Sequence, residues 1–342
     1  MAANILFIGG SLNQTSMMHK IAVQLGEFNC FFTPFYAEGV MRLAARYGLV
    51  DFSILGGRHR QATESYLAQE GLPVDYGGRQ RSYDAVVTGT DLIVQNNIRH
   101  QRLLLVQEGM TEPEDFVYFL VRNLKLPRFL ANTAATGLSN AYDLFCVASP
   151  GYRELFVRKG VNPDKIVVTG IPNFDNAAQY LKNDFPRRGY VLAATSSMRE
   201  TLKFEDRERF LLQVKRIAAG RPVLFKLHPN ENVDRARREI RRHFPNAPVY
   251  TEGNVHPMIA NCEVLITHNS SVVYTGLALG KEVYSSFDRD VLKKLLPIQN
   301  GGKSAERIAE VCRQLVHTPL AEVKSRAPLG RLLRKPKALE PF

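Results

Sequence analysis

Short apolar runs alternate with helix-length amphipathic stretches along nearly the whole chain, and few folds accept that order. Ile5-Leu6-Phe7-Ile8, Leu103-Leu104-Leu105-Val106, Leu144-Phe145-Cys146-Val147, Val191-Leu192-Ala193-Ala194 and Val264-Leu265-Ile266 carry no internal polar alternation. Runs of this kind mark strands covered on both faces, as in parallel sheets with helices on either side. The pattern recurs in both halves, which predicts an α/β chain of two Rossmann-like, doubly wound parallel sheets. The 342 residues are enough to build two such cores. Residues 176–188 are polar, with Pro186 and the pair Arg187-Arg188, and read as a linker. The expected division is therefore residues 1–175, the linker, residues 189–320, and a basic tail over 321–342. Ligands of doubly wound sheets sit outside the carboxyl ends of the strands, so two such sheets facing each other are expected to frame one cleft.

Composition narrows the partners. The net charge is +12. Such a chain favours polyanions, anionic lipid or phosphorylated substrates. Arg235, Arg237, Arg238, Arg241 and Arg242 read as a solvated helix face. Arg331, Arg334, Lys335 and Lys337, interleaved with Leu329, Leu332 and Leu333, could touch a membrane surface. No nucleic-acid-binding module is recognisable, so nucleic acid is not expected as a partner. No apolar run of eighteen residues and no secretory signal pattern occurs, which points to a cytoplasmic protein, with the tail able to meet the inner face of the plasma membrane. Cys30, Cys146, Cys262 and Cys312 are scattered without a CxxC and read as reduced thiols. No His/Asp/Glu spacing suggests a metal site, so no metal or other cofactor is expected.

The stretch from Glu263 to Lys281 concentrates the chemistry. A buried strand ends in Thr267-His268-Asn269-Ser270-Ser271, and an apolar helical pattern follows with the small residues Gly276 and Ala278. Asn and Ser are helix-capping types, and a helix start offers free N–H groups to an anion. An ordinary βα turn that binds nothing has the same signature. Other strand exits are polar too: Gly9-Gly10-Ser11, Gln107-Glu108-Gly109, Ser149-Pro150-Gly151, Thr195-Ser196-Ser197 and Lys226-Leu227-His228-Pro229-Asn230. His228, held extended by Pro229, can donate to a phosphate oxygen or can be a plain turn histidine. Glu108 can be a general base or nucleophile at a sheet edge, or an exposed turn acid. Gly9-Gly10-Ser11 is neither GxGxxG nor a P-loop, and signals close backbone approach only. No GxSxG elbow is present.

Taken together, Lys226-Leu227-His228-Pro229, the run from Val255 to Thr267, Asn269-Ser270-Ser271 and Leu279-Gly280-Lys281 resemble the nucleotide-sugar domain of GT-B glycosyltransferases. The likeness is to enzymes of bacterial capsule and lipopolysaccharide assembly that use CMP-activated sugars, the sialyl- and Kdo-transferases. Ser149-Pro150-Gly151, Val168-Thr169-Gly170-Ile171-Pro172, Asp175 and Arg199-Glu200 also resemble non-hydrolysing UDP-N-acetylglucosamine 2-epimerases of the same fold. The resemblance implies that His228, Ser270 and Ser271 grip a nucleotide phosphate and that Glu108 matches the acidic-Gly catalytic motif, with Gln107 replacing its first acid. Lys226, Asn269, Gly10, Ser11 and Ser196 complete the expected nucleotide-sugar contacts.

The expected function is transfer of a sugar from a nucleotide donor, CMP-linked or otherwise, to a glycan or glycolipid acceptor in surface polysaccharide synthesis. The second domain would take the nucleotide and the first the acceptor, closing about residues 176–188. The competing readings are a UDP-N-acetylglucosamine 2-epimerase, disfavoured where Asn269-Ser270-Ser271 replaces a glycine-rich pattern, and a non-catalytic binding protein.

Overall fold

The computed structural model describes residues 2–34, 36–47, 57–201 and 204–325. The chain forms two compact units. One runs to Asp175 and resumes at Gly302; the other spans Asn176–Gly301.

The first unit holds strands β1 (Asn4–Ile8), β2 (Asn29–Thr33), β3 (Ala85–Thr88), β4 (Arg102–Val106), β5 (Leu144–Val147) and β6 (Ile166–Val168). They form one parallel sheet in the order β2-β1-β3-β4-β5-β6. Its helices include α1 (Leu12–Val23), α2 (Gly39–Arg46), α3 (Gly57–Gln69), α4 (Phe116–Leu124) and α5 (Pro150–Lys159). Ile5 and Phe7 pack on one face of the sheet against Met17, Met18 and Ile21 of α1. Leu6 and Ile8 point the other way and are equally buried. Coverage of both faces is why the strand sequences show no polar alternation. The exit from β5 follows its sequence closely. Ser149 Oγ accepts from Tyr152 N, Pro150 takes the first helical position, and Gly160 ends α5 at φ +106°.

The second unit holds β7 (Val191–Ala194), β8 (Val223–Lys226), β9 (Val249–Tyr250), β10 (Val264–Thr267) and β11 (Glu282–Tyr284), again all parallel, in the order β11-β10-β7-β8-β9. Its helices are α6 (Arg207–Ala218), α7 (Val233–His243), α8 (Val255–Asn261), α9 (Val272–Ala278) and α10 (Arg289–Leu295). Val191, Ala193, Phe225, Val264 and Ile266 meet Phe210, Leu211 and Val214 of α6 and Ile240 of α7. Gly276 lets α9 lie close to the sheet, because a Cβ there would come within 2.9 Å of the Leu265 and Val283 side chains.

Two strand orders locate two crevices. In the first unit the chain runs β1 to β2 and then reverses to β3, so the switch point lies between β1 and β3. In the second unit β8 and β9 lie on one side of β7, and β10 and β11 on the other, so the switch point lies between β7 and β10. Ligands of such sheets bind at these points, beyond the carboxyl ends of the strands.

Several expectations need correction. Residues 302–320, expected in the second domain, return to the first unit. There α11 (Ser304–His317) seals the β-sheet face with Ile308, Cys312 and Leu315, and α12 (Leu320–Lys324) adds Val323. The expected linker carries a 3-10 turn, Ala177–Leu181, that belongs to the second unit. Arg235 is not simply solvated, since it pairs with Glu200. The basic tail, with Arg331, Arg334, Lys335 and Lys337, lies outside the described residues. All four cysteines are free thiols.

Candidate functional site

At the switch point of the second unit, two strands end in buried hydroxyls with nothing to bond. Ser196 follows β7 and is 5% exposed; Thr267 ends β10 and is 3% exposed. Neither Ser196 Oγ nor Thr267 Oγ1 has a hydrogen-bond partner. Thr267 lies directly opposite Ala194, two residues before Ser196, so both hydroxyls sit at the carboxyl edge of adjacent strands. A buried, unpaired hydroxyl costs about 1–3 kcal/mol, which a folded protein tolerates where a ligand supplies the partner.

His228 leaves the neighbouring strand β8 and is held by its surroundings. Its N–H donates to Thr195 Oγ1 and Glu231 Oε2, each at 3.3 Å. Asn230 N donates to His228 Nδ1 at 3.1 Å. With Nδ1 accepting, the proton of the neutral ring resides on Nε2, which makes that atom a donor. Glu231 is fixed in turn by the Thr195 hydroxyl and the buried Arg207 guanidinium. Burial raises the Glu231 pKa, opposed by Arg207 and Thr195. Arg207 also bonds Glu205, and Arg199 makes a two-pronged pair with Glu239 at 2.8 Å per bond. This charged scaffold backs the β7 and β8 exits with fixed geometry.

The other candidates of this unit have different tasks. Lys226 is buried, and its ammonium donates to Leu227 O at 2.8 Å and Thr251 O at 3.3 Å. Burial also lowers its pKa. Its role here is to tie the β8 and β9 exits together. Asn269 Oδ1 accepts from Ser286 Oγ at 2.6 Å. Ser271 occupies the cap position of α9 but has helical angles (φ −63°, ψ −13°) and makes no side-chain cap bond. The carbonyl of Ser270 takes Val273 N instead, and its hydroxyl reaches Val272 N only at 3.5 Å. The seven-residue α9 thus lacks the capped start expected of it. Ser270 and Ser271 remain half-buried at the β10 exit. His268 stacks on Phe210 with ring centroids 5.1 Å apart, and burial lowers its pKa.

In the first unit the structure gathers the start of α1 around Glu108. Ser11, Asn13 and Gln14 donate to its carboxylate at 3.4, 3.1 and 2.6 Å. These residues are the cap and first turn of α1, so Glu108 is the anion that meets the start of that helix. Gly10 N is already taken by Gln14 Oε1 at 2.9 Å. Gly10 and Ser11, expected among the nucleotide-sugar contacts, stand in the network that positions the carboxylate. Gly9 must lack a side chain, because a Cβ would stand 2.4 Å from Thr15 Oγ1. Gln107 is a clip, accepting from Ala148 N at 2.9 Å and donating to Gly109 O at 2.7 Å. Burial, with the Glu108 charge added, raises the Tyr36 phenol pKa.

Thr195, Thr267, Asn13, Gln14 and Tyr36 were not singled out from the sequence. Thr195 and Thr267 had a readable signal, a hydroxyl one residue after or at the end of each of two buried strands. The partners of Glu108 had none, because they lie more than 90 residues away in the chain.

No protein-family model and no curated protein matches the chain. Solved structures do. A UDP-GlcNAc 2-epimerase from Neisseria meningitidis, bound to UDP-GlcNAc, matches with TM-score 0.57 at 12% identity, over 92% of this chain and 100% of that one. The S. aureus MnaA complex with UDP gives 0.56 at 13% identity, over 96% and 92%. Anabaena HepE in complex with UDP gives 0.51 at 11% identity, over 97% and 99%. The chain has a GT-B-type fold of two Rossmann-like units. Among the described residues, no three His, Cys, Asp or Glu side chains cluster as a metal site, and no helix is long and apolar enough to cross a membrane.

Proposed function

We propose that this chain is a glycosyltransferase that takes a sugar from a nucleotide donor and passes it to a hydroxyl of a glycan or glycolipid acceptor. One observation carries the reading: the unpaired, buried hydroxyls of Ser196 and Thr267 at the switch point of the second unit, with His228 leaving the adjacent strand β8. Two neutral hydroxyls at the ends of adjacent strands suit a phosphate that arrives charged and leaves with more charge. Ser270 and Ser271 at the same β10 exit add two more hydroxyls. Lys226 holds the frame.

In this reading the acceptor oxygen bonds the anomeric carbon as the bond from that carbon to the phosphate oxygen breaks. The electron pair leaves with the phosphate, where the hydroxyls and His228 stabilise it. Glu108 takes the proton of the acceptor hydroxyl, and the Ser11, Asn13 and Gln14 donors keep its carboxylate aimed. Neither a CMP-linked donor nor a role in capsule or lipopolysaccharide assembly is required by these residues; both extend the proposal by sequence resemblance.

A thermal-shift panel of CMP, CDP, UDP and GDP tests the reading first, because a ligand of the native state raises its apparent stability. His228→Ala should abolish the shift; an unchanged shift would reject the phosphate assignment. The second reading is 2-epimerase activity, favoured by the likeness to a UDP-GlcNAc 2-epimerase bound to UDP-GlcNAc. Incubation with UDP-GlcNAc and no acceptor separates the two, since only an epimerase then yields a rearranged sugar.

A further inference from the structure

The carboxyl edge of the first sheet opens into a cavity of about 520 Å³. Ala37, after β2, and Gln95, after β3, both line it. Those strands flank β1, so the cavity lies at the switch point of this unit. Arg42 of α2, Arg60 of α3 and Arg79 also line it, and among its described lining residues there is no acid. Arg60 is paired with Glu64 at 2.8 Å and lies over the Tyr76 ring. Arg42 and Arg79 have no ion-pair partner among the described residues. Gln95 is 1% exposed, and its Oε1 bonds nothing.

The backbone around these groups is fixed. Gly77 N donates to Thr33 Oγ1 at 2.8 Å, and the Gly77 and Gly78 carbonyls take the Asn97 amide at 2.9 and 3.0 Å. Buried Asp75 accepts from Arg79 N at 2.9 Å. Gly77, at φ +73°, is where the Arg79 and Gln95 side chains meet, since a Cβ there would stand 3.5 Å from Arg79 Nε and from Gln95 Nε2. Each lining group suits a different part of a ligand. The guanidinium groups match an oxyanion, which they can grip with two parallel bonds. Gln95 Oε1 is a buried acceptor that lacks a donor, and a hydroxyl would supply one. Ala37 and the Tyr76 ring offer apolar surface. An acidic sugar carries all three features: a carboxylate or phosphate, hydroxyls and an apolar ring face. A bare inorganic anion would leave the apolar wall uncovered and most of the volume unfilled.

We propose that this cavity binds an acidic sugar residue through Arg42, Arg79 and Gln95. That the residue belongs to the glycan acceptor rests on the transferase reading above; the binding itself does not. Titrations of the full chain followed by saturation-transfer NMR, with galacturonic acid, glucose 6-phosphate and neutral glucose as probes, test it. At least one acid should bind, with glucose at least about tenfold weaker, and the tighter acid tells carboxylate from phosphate. Arg42→Met and Arg79→Met should each weaken that acid at least about tenfold with the melting temperature unchanged. Gln95→Leu should weaken it too while leaving the free fold at least as stable, because its Oε1 has no bond to lose. Binding of neither acid, glucose bound as tightly as the acids, or acid binding that survives both arginine variants overturns the proposal. So does loss of the nucleotide thermal shift in both arginine variants, because the cavity would then serve the donor. An acid bound in an arginine-dependent way by a chain that shows no nucleotide shift supports the cavity and overturns the transferase reading instead.

Discussion

Removing the two unpaired hydroxyls of the second unit should move stability and ligand affinity in opposite directions. Ser196→Ala and Thr267→Val delete Oγ with little change of shape at positions 5% and 3% exposed. Neither oxygen is hydrogen-bonded in the unliganded fold. Each buried, unsatisfied hydroxyl costs about 1–3 kcal/mol, so each deletion should leave the free protein equally or more stable, by up to that amount. For a domain of ordinary size this corresponds to a rise of about 4 °C in melting temperature per kcal/mol. A hydrogen bond from the same hydroxyl to a phosphate oxygen contributes about 1.5–3 kcal/mol, so each variant should bind its nucleotide about 10- to 100-fold more weakly. Differential scanning fluorimetry with and without nucleotide, together with isothermal titration calorimetry, reads both quantities. A variant that melts several degrees lower with affinity unchanged would refute the argument, since the hydroxyl would then be serving the fold.

Glu108→Gln should lower turnover at least about a hundredfold while leaving nucleotide affinity within about twofold, measured by product formation and calorimetry side by side. Lys226→Met should act on the fold rather than on binding. Losing its bonds to Leu227 O and Thr251 O should destabilise the protein by about 1–3 kcal/mol in urea unfolding, with nucleotide affinity within a few-fold; a loss beyond tenfold without destabilisation would return Lys226 to the phosphate site. His268 has a folded-state pKa depressed by burial, so its neutral ring is favoured in the fold and protonation opposes folding. Its contribution is present above the unfolded value near 6.5 and is lost as pH falls below it. The melting temperature should therefore drop between about pH 7 and 5, and drop less in His268→Asn.

Most of the architecture was legible because each central strand is covered on both faces. Ile5 to Ile8 and Val264 to Ile266 could hardly be anything but interior parallel strands, and the exits of strands β4, β8 and β7, read the same way, carry Glu108, His228 and Ser196. What remained hidden needed long-range placement. The apolar stripe of α11 says that the helix packs, not where; Ile308, Cys312 and Leu315 would suit either sheet. A lysine ending a strand reads as a cation for a ligand until Thr251 O is found beside it. Gly9-Gly10-Ser11 signalled only a close backbone approach, and the group that the start of α1 meets is Glu108, more than 90 residues on.

The return of α11 makes the second unit an insert within its host. Met17, Met18 and Ile21 stay without their cover until Ile308, Cys312 and Leu315 arrive, some 290 residues later in synthesis. The second unit lies wholly within that interval, so on the ribosome it can finish folding while its host is still open. Trimming the chain back to Gly301 would accordingly spare the inserted unit and strip the lid from the one that was made first.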